Sequence, residues 1–363
     1  MPVLATSPGA GAPMNAPAAI LSLSVALPPH TLSQHEAVAV ARELLSAGFP
    51  SFDRLAQVFV TAGIRRRYLA KPVDWYRTPH DWPARNQAFL EVAVDLFEEA
   101  ATRALDEAGL DAAAVDTIVT VSSTGIATPT LEAHAMRRMG FRENVVRVPI
   151  FGLGCAGGVA GLAIAAKLAR ASPGSTVLLV VVELCSLAFR TTELSKADIV
   201  STALFGDGAA ASVLRSGSEG FAWVADSAER TWSDTLDIMG WRIDPDGLGV
   251  IFNRAIPDFV HRHLRGAMDA MLAEQNLAPR DIDRFICHPG GTKVIEAIEQ
   301  AFSLAEGTLH EEREVLADYG NMSAPTALFV LDRVRRTDLP PLSVITALGP
   351  GFTASTVTLR SAS

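Results

Sequence analysis

Cysteine is scarce in this chain: its 363 residues include three, Cys155, Cys185 and Cys287. Their number is odd, they lie far apart in the sequence, and they lack the spacing of metal ligands. We therefore expect neither a disulfide framework nor a metal site. Free thiols persist in a reducing compartment, so the composition predicts a cytoplasmic protein.

The chain also lacks an excess of basic residues and a long apolar run. Its formal net charge is −9, which argues against nucleic acid as a main partner. No apolar stretch is long enough to span a bilayer, and TVLLVVVEL (Thr176–Leu184) is predicted to be a buried strand from its length and β-branching. The start lacks the basic and apolar regions of a signal peptide, so residues 1–18 are predicted to be a flexible tail.

Positive charge is concentrated locally in IRRRY (Ile64–Tyr68). Such a cluster suits an anionic small ligand, but it is equally typical of a solvated surface run. Both interpretations stay open at the level of sequence.

Apolar runs alternate with helical patterns along the chain, which is the order of an α/β protein. The predicted strands are Ala19–Leu27, Thr117–Ser123, Val145–Ile150, Thr176–Leu184, Ala209–Arg215, Arg284–His288, Leu342–Leu348 and Ser355–Arg360. Between them, the apolar residues of Asn86–Ala108 keep helical spacing.

Two predicted helices, Gly157–Ala171 and Ser323–Val334, are small and apolar on nearly every face. A helix of this kind must be buried all round, so we expect a central helix pair between sheets. Each helix follows a glycine-containing turn that presents a polar residue, a weak internal repeat. The chain is thus predicted to form two similar α/β halves packed face to face, residues 19–218 and 219–363.

Cys155 lies among glycines in FGLGCAGGVAG, directly before the first buried helix. The free N–H groups and dipole of a helix N-terminus favour a thiolate, the nucleophilic form of cysteine. Glycine neighbours allow a substrate to approach closely. The residue is predicted to be a nucleophile, the alternative being an inert buried thiol.

His288 and Asn321 occupy comparable positions in the second half. His288 ends a strand in FICHPGG, where polar side chains of α/β folds face a cleft; a structural histidine is the alternative. Asn321, in DYGNMSAP, is predicted to cap the second buried helix, and its amide also has the chemistry to donate to a substrate oxygen. Cys, His and Asn in this order occur in papain-like hydrolases, but the alternating α/β pattern disagrees with that fold.

The motifs together resemble type III polyketide synthases, the chalcone and stilbene synthase family. They are GLGCAGG around Cys155, LFGDGAAA (Leu204–Ala211), CHPGG (Cys287–Gly291), YGNMSAP (Tyr319–Pro325) and LGPGFTA (Leu348–Ala354). They follow the family order from about Ala19 to Arg360. Ketoacyl carrier-protein synthases that initiate fatty acid synthesis are the alternative, but they follow the histidine with Gln-Ala-Asn, where this chain has Pro-Gly-Gly.

The resemblance implies a thiolase-like αβαβα layered fold and a homodimer. It also implies iterative condensation of malonyl-CoA onto an acyl-CoA starter, with CoA thioesters as substrates and no metal or redox cofactor. By family match, Cys155 carries the acyl chain. His288 is expected to keep the Cys155 thiolate ionised. The His288 N–H and the Asn321 amide are expected to stabilise the enolate left by decarboxylation.

Family matches also imply the cavity and the CoA contacts. Phe205 matches a gatekeeper between the CoA tunnel and the cavity, and a second gatekeeper falls near Val250 unless the register slips to Phe252. Glu183, Ser123 and Ser323 resemble a hydrogen-bonded set near the nucleophile. The other predicted cavity positions are Thr128, Cys185 and Ala188, and the predicted CoA contacts are Arg54, Arg65, Arg66, Gly290 and Gly291.

These cavity positions are small or compact, which leaves room for a long apolar tail. FGLGCAGGVAGLAI and VVVELCSLAFR also resemble bacterial members, several of which make alkylpyrones or alkylresorcinols. We therefore expect a fatty acyl-CoA starter and an alkylpyrone or alkylresorcinol product.

Overall fold

The computed structural model describes residues 16–190 and 195–362. Its strands are β1 (Ala18–Ala26), β2 (His30–Ser33), β3 (Arg66–Leu69), β4 (Thr117–Val121), β5 (Val146–Ile150), β6 (Thr176–Leu184), β7 (Asp207–Ser216), β8 (Ala222–Thr231), β9 (Met239–Asp244), β10 (Gly247–Phe252), β11 (Arg284–Cys287), β12 (Leu342–Gly349) and β13 (Thr353–Ser361). Most of the predicted tail lies outside the described residues, and Ala18 already belongs to β1.

The α-helices of the described part alternate with these strands. They are α1 (Gln34–Leu45), α2 (Phe52–Leu55), α3 (Gln57–Thr61), α4 (Val73–Tyr76), α5 (Trp82–Ala108), α6 (Leu131–Met139), α7 (Gly157–Ala171), α8 (Lys196–Leu204), α9 (Ile256–Ala273), α10 (Thr292–Phe302), α11 (His310–Tyr319) and α12 (Thr326–Thr337).

The main sheet repeats one topology twice. Its nine strands run in the order β11-β12-β13-β8-β1-β7-β6-β4-β5. In the first half, β6 is parallel to β4 and antiparallel to β7, and β7 is antiparallel to β1. In the second half, β12 is parallel to β11 and antiparallel to β13, and β13 is antiparallel to β8. The predicted repeat is therefore visible in the strand pairing.

Strand pairing joins the two halves into one continuous hydrogen-bonded sheet. They join where β1 pairs with β8 at Ala18↔Val224, Ala19↔Trp223 and Ile20↔Ala222. Helices α7 and α12 contact each other, and both contact strands of both halves. The predicted central helix pair thus lies between the halves.

Successive side chains of β6 point to opposite faces of the sheet and so belong to two different hydrophobic cores. Val177, Leu179 and Val181 pack with α7 and α12 in the central core. Leu178, Val180 and Val182 face the opposite side, against α5. A strand that is buried on both faces has a continuous apolar sequence, so the bounds of β6 can be predicted from the sequence. Helices α9 and α10 cover the outer face of the second half, which completes five alternating layers.

Candidate active site

Several of the predicted site residues follow the carboxyl ends of the parallel strands. Ser123 and Thr124 follow β4, Cys185 follows β6, and His288 follows β11. Cys155 lies in a short 3-10 turn, Gly154–Ala156, that leads into α7. A Cβ on Gly349 would lie 2.5 Å from the carbonyl oxygen of Leu153, so the end of β12 packs directly against this turn.

Cys155 and His288 are both buried, and burial opposes the charged form of each. Burial raises the pKa of the Cys155 thiol to about 12, although the side chains of Ser323 and Asn321 act in the opposite direction by hydrogen bonding. Burial lowers the pKa of His288 to about 4. Both groups are therefore neutral at rest.

His288 has unused hydrogen-bonding capacity. Within the described residues, neither of its ring nitrogens has a hydrogen-bond partner. No hydrogen bond therefore joins the described residues His288 and Cys155, and ionisation of the Cys155 thiol by His288 stays a prediction. A neutral imidazole with a free nitrogen has the chemistry of a proton acceptor. The residue is held in place by the end of β11, where Glu312 accepts a 2.9 Å hydrogen bond from the Cys287 N–H.

Asn321 does not cap α12, contrary to the prediction. The helix begins at Thr326, after Ser323 in a left-handed conformation (φ 60°) and Pro325. The Asn321 Oδ1 accepts from the Ser323 N–H at 2.8 Å, and its Nδ2 donates to the Gly290 carbonyl at 3.3 Å. Since an amide nitrogen carries two protons, Nδ2 has a second N–H beside the one given to Gly290, and hydrogen bonding from the Asn321 side chain acts to lower the pKa of Cys155.

Glu183 lies behind the cavity wall and is fully buried. It accepts hydrogen bonds from the Ser123 N–H (2.9 and 3.1 Å) and from the Thr124 hydroxyl (2.8 Å). Burial raises its pKa to about 8, and these donors oppose the shift. The expected hydrogen bonds to Glu183 are confirmed, but Thr124 takes the place expected for Ser323. The Ser123 hydroxyl accepts from the N–H groups of Gly152 (3.1 Å) and Gly154 (3.4 Å) instead.

A cavity with about 1250 Å³ of empty space, including its open mouth, extends from Cys155. Six predicted cavity residues line it: Ser123, Cys185, Ala188, Phe205, Val250 and Ser323. Thr128 does not line it and is exposed, so that prediction is wrong for the cavity of a single chain.

Much of the remaining lining was not predicted. We call one part the apolar wall; it consists of Leu32, Ala37, Val40, Ala41, Leu44, Leu69 and Val73. Trp241 also lines the cavity and donates to the Ser123 carbonyl at 2.9 Å, which links the β9–β10 hairpin to the loop after β4. Neither feature has a local sequence motif.

Phe205 and Phe252 form an aromatic pair on the cavity wall. Their ring centroids lie 6.1 Å apart in an edge-to-face arrangement. Val250 lines the cavity as well, but Phe252 is the residue that meets Phe205. Both candidates for the second gatekeeper thus line the cavity, and the choice between Val250 and Phe252 stays a prediction.

The arginine run does not form a continuous basic patch. Arg65 is ion-paired with Glu314 and Asp318, both at 2.8 Å, and Arg66 lies 3.8 Å from Asp318. Arg67 is buried and points inward. Arg54 is exposed on α2, and Gly290 and Gly291 form the loop before α10. The structure thus places none of the predicted CoA contacts on the cavity wall.

No metal-binding group of three or more His, Cys, Asp or Glu side chains is found in residues 16–190 and 195–362. In that same part of the chain, no helix has the length and apolarity needed to cross a membrane.

Two family models match the sequence. The model described as chalcone and stilbene synthases, N-terminal domain, matches residues 11–218, and the corresponding C-terminal domain matches residues 227–363. Together they cover nearly the whole chain.

Named relatives agree with the family models. The chain is 42% identical over 351 residues to a 1,3,6,8-tetrahydroxynaphthalene synthase of Streptomyces peucetius subsp. caesius, covering 94% of this chain and 92% of the relative. It is 34% identical over 352 residues to a putative chalcone synthase of Bacillus subtilis, covering 92% and 96%.

Solved structures confirm the predicted thiolase-like α/β fold. The 1,3,6,8-tetrahydroxynaphthalene synthase of Streptomyces coelicolor A3(2), a bacterial type III polyketide synthase, superposes with a TM-score of 0.90 at 26% identity over 95% of this chain and 99% of that one. PKS-I from the brown alga Ectocarpus siliculosus gives 0.89 at 27% identity, over 95% and 98%.

Proposed function

Because the chain belongs to the chalcone and stilbene synthase family and is a type III polyketide synthase, we propose that it condenses malonyl-CoA iteratively onto a fatty acyl-CoA starter. The proposed product is an alkylpyrone or alkylresorcinol. The observation that carries this proposal is the cavity, which connects Cys155 with the apolar wall. CoA thioesters are the only substrates that the proposed cycle uses.

Cys155 is the proposed acyl carrier. His288, neutral and buried, accepts the thiol proton as the sulfur attacks the acyl-CoA, so that no isolated thiolate has to form in the buried site. The proposed role of the imidazolium so formed is to stabilise the developing negative charge. Departing CoA takes up the proton.

His288 and Asn321 are also the proposed partners of malonyl-CoA. Loss of carbon dioxide leaves an enolate, whose oxygen needs fixed donors in a site without bulk water. The second N–H of Asn321, on the side chain that also acts on Cys155, supplies one donor, because Oδ1 and the other N–H are held by Ser323 and Gly290. The enolate carbon then attacks the thioester on Cys155.

The apolar wall is the proposed site for the starter chain. Its side chains offer no hydrogen-bonding group, and each methylene buried against such a surface contributes about 0.8 kcal/mol. Ala188 and Val250 line the same cavity, and both are small enough to leave the passage open. Arg54, exposed on α2, is retained as a proposed contact for the CoA phosphates.

A second candidate product is favoured by one observation. The relative at 42% identity is named for a naphthalene that carries four hydroxyl groups, a compound more oxygenated than an alkylpyrone. A chain built from malonyl units alone would give such a product. Incubation with malonyl-CoA alone and with malonyl-CoA plus dodecanoyl-CoA, followed by mass spectrometry of the products, distinguishes the two candidates.

The acyl-carrier role is tested by the mass of the intact protein after incubation with dodecanoyl-CoA. We expect the wild type to gain one acyl group and Cys155→Ala to gain none, whereas Cys185→Ser should still be acylated. Equal acyl mass on wild type and Cys155→Ala would show that the nucleophile lies elsewhere.

The role of Asn321 is tested by malonyl-CoA decarboxylation without a starter. Asn321→Asp keeps an acceptor for the Ser323 N–H but loses the amide donor, so it separates loop structure from enolate stabilisation. We expect a decrease of about 100-fold or more. A wild-type rate in this variant would mean that the amide only holds its loop.

A homodimer in the cytoplasm is proposed with this function. The edge strand β5 and the residue after it expose the apolar side chains of Val146 (57%) and Phe151 (58%), and an exposed apolar edge is suited to pairing with a second copy. All three cysteines are free thiols, as a reducing compartment would keep them.

A further inference from the structure

A hydrogen-bonded chain connects a buried carboxyl group with the cavity. The Tyr76 and Ser186 hydroxyl oxygens lie 2.6 Å apart, and both residues line the cavity. The Ser186 hydroxyl in turn donates to Oδ2 of Asp207, which is fully buried. Two hydroxyls therefore lead from Asp207 to the cavity.

We propose that Asp207, Ser186 and Tyr76 form a proton relay that protonates an oxyanion of the bound polyketide during ring closure. This inference rests on the proposed function, because it requires a polyketide attached to Cys155. It adds a proton donor to the site, separate from His288 and Asn321.

The direction of the hydrogen bonds depends on whether Asp207 carries a proton. When Asp207 is ionised, the Ser186 hydroxyl donates to it and the Tyr76 hydroxyl must donate to Ser186, so neither proton is free for a ligand. When Asp207 is protonated, it donates to Ser186, Ser186 donates to Tyr76, and the Tyr76 O–H is free to donate into the cavity.

The transfer balances with solvent water as the only other reactant, which is the final source of the proton. The ligand alkoxide takes the proton of Tyr76, Tyr76 takes that of Ser186, and Ser186 takes that of Asp207. Three O–H bonds break and three form, as electron pairs shift along the chain. The ligand becomes a neutral alcohol, Asp207 becomes a carboxylate, and bulk water then restores its proton.

The environment of Asp207 suits a group that holds a proton near neutral pH. Burial raises its pKa to about 7, against the opposing effect of the donors Ser186 and Ala70 and of the Arg67 charge. The other ionisable groups that interact with it are Glu183, Cys185 and Tyr76. Burial raises the pKa of Tyr76, which therefore stays protonated and acts as a donor.

Ring chemistry determines which product needs the relay. An aldol closure leaves an alkoxide that must gain a proton. In a lactone closure the enol oxygen attacks the thioester, and the Cys155 sulfur that leaves takes up the proton instead. The relay should therefore favour the carbocyclic, aromatic product over the pyrone.

The test compares Tyr76→Phe and Ser186→Ala with the wild type. Each enzyme receives malonyl-CoA, with and without dodecanoyl-CoA, between about pH 5.5 and 9. The ratio of aromatic to lactone product is measured by mass spectrometry. Tyr68→Phe is the matched control, since Tyr68 lies in β3 and does not line the cavity.

In the wild type we expect the ratio to fall as the pH rises through about 7, because the donor form of Asp207 is lost. Tyr76→Phe should lower the ratio by about tenfold or more at acidic pH and abolish its pH dependence. Ser186→Ala should lower the ratio in the same way. The double variant Tyr76→Phe/Ser186→Ala should show no further decrease in the ratio. Tyr68→Phe should match the wild type.

Three results would overturn the relay. One is a Tyr76→Phe ratio that equals the wild type at every pH, and another is a wild type that forms only lactone throughout. The third, a lack of acyl mass on Cys155, would also overturn the proposed function, whereas the first two leave it standing. A variant that loses structure would lose total product, but the ratio is independent of total product.

Discussion

The backbone of Asn321 is hydrogen-bonded on both sides of Phe205. The Asn321 N–H donates to the Leu204 carbonyl at 2.9 Å, and the Gly206 N–H donates to the Asn321 carbonyl at 3.0 Å. The proposed enolate donor and the proposed gatekeeper thus belong to one backbone bridge. The position of the Phe205 backbone and the placement of the Asn321 amide are therefore linked.

Arg67 holds this bridge from the side of α8. Its guanidinium donates to the carbonyls of Thr202, Ala203 (2.8 Å) and Phe205 (3.1 Å) and to the Gln34 side chain. Arg67→Met should lower the free energy of unfolding by about 3 kcal/mol, because buried carbonyls lose their partner. Denaturant unfolding measures the change.

The neighbouring arginine is a matched control for that prediction. Arg66 is exposed and has one distant ion pair, at 3.8 Å. Arg66→Met should therefore change stability by less than about 0.5 kcal/mol. Equal losses in the two variants would contradict the structural role assigned to Arg67.

Close approach of backbones fixes Cys155 relative to the loop that carries Asn321. A Cβ on Gly158, in α7, would lie 2.2 Å from the Ala324 carbonyl oxygen. Gly158→Ala should destabilise the protein by about 1–3 kcal/mol and slow decarboxylation, because the loop has to shift. Gly266, exposed in α9, has no atom within 4 Å of such a Cβ.

Gly266→Ala should accordingly stabilise the protein by about 0.5–1 kcal/mol, the usual gain from replacing glycine in a helix. Thermal and denaturant unfolding of both variants provide the comparison. A Gly158→Ala protein as stable as Gly266→Ala would mean that the two backbones are not tightly packed.

The sequence predicts the buried elements well and the half-exposed ones poorly. The bounds of β6 and α7 match the prediction, because an apolar run and a small-residue run each have a single stable arrangement. The β9–β10 hairpin was not predicted. Its strands are only partly buried and mix polar with apolar residues, so no period stands out.

The candidate site likewise contains residues that local sequence motifs indicate and residues that they do not. Motifs located Cys155, His288 and Asn321, because each lies in a glycine-containing turn next to a regular element. Trp241 and the apolar wall were missed, since they reach the cavity through contacts far apart in the chain. The assignment of Asn321 as a helix cap failed because the left-handed Ser323 separates it from α12.

The reactivity of Cys155 should reveal His288 as its base. Alkylation of the thiol by iodoacetamide is followed against pH in the Cys185→Ser background. Because the pKa of His288 is lowered to about 4, it stays neutral above that pH, and the wild-type rate should be nearly constant at higher pH. In His288→Gln, the alkylation rate should depend only on the fraction of Cys155 that is ionised.

That thiol has its pKa raised to about 12. The His288→Gln rate should therefore rise about tenfold per pH unit up to the alkaline limit of the assay and be far below the wild type near pH 7. Identical profiles for the two enzymes would rule out His288 as the base.

Starter length should respond to the size of two cavity residues. Ala188 and Val250 line the cavity that connects Cys155 with the apolar wall. Ala188→Phe and Val250→Phe each place a ring in this space, so a long chain loses burial of about 0.8 kcal/mol per excluded methylene, whereas an acetyl group loses none. Both variants should shift the preferred starter toward short acyl-CoA thioesters, with Cys155 still acylated by acetyl-CoA.

Ala113→Phe, exposed on a 3-10 turn away from the cavity, should keep the wild-type profile in the same competition assay. Unchanged profiles in both cavity variants, or a wild type that never uses a long-chain starter, would contradict the proposed fatty acyl specificity.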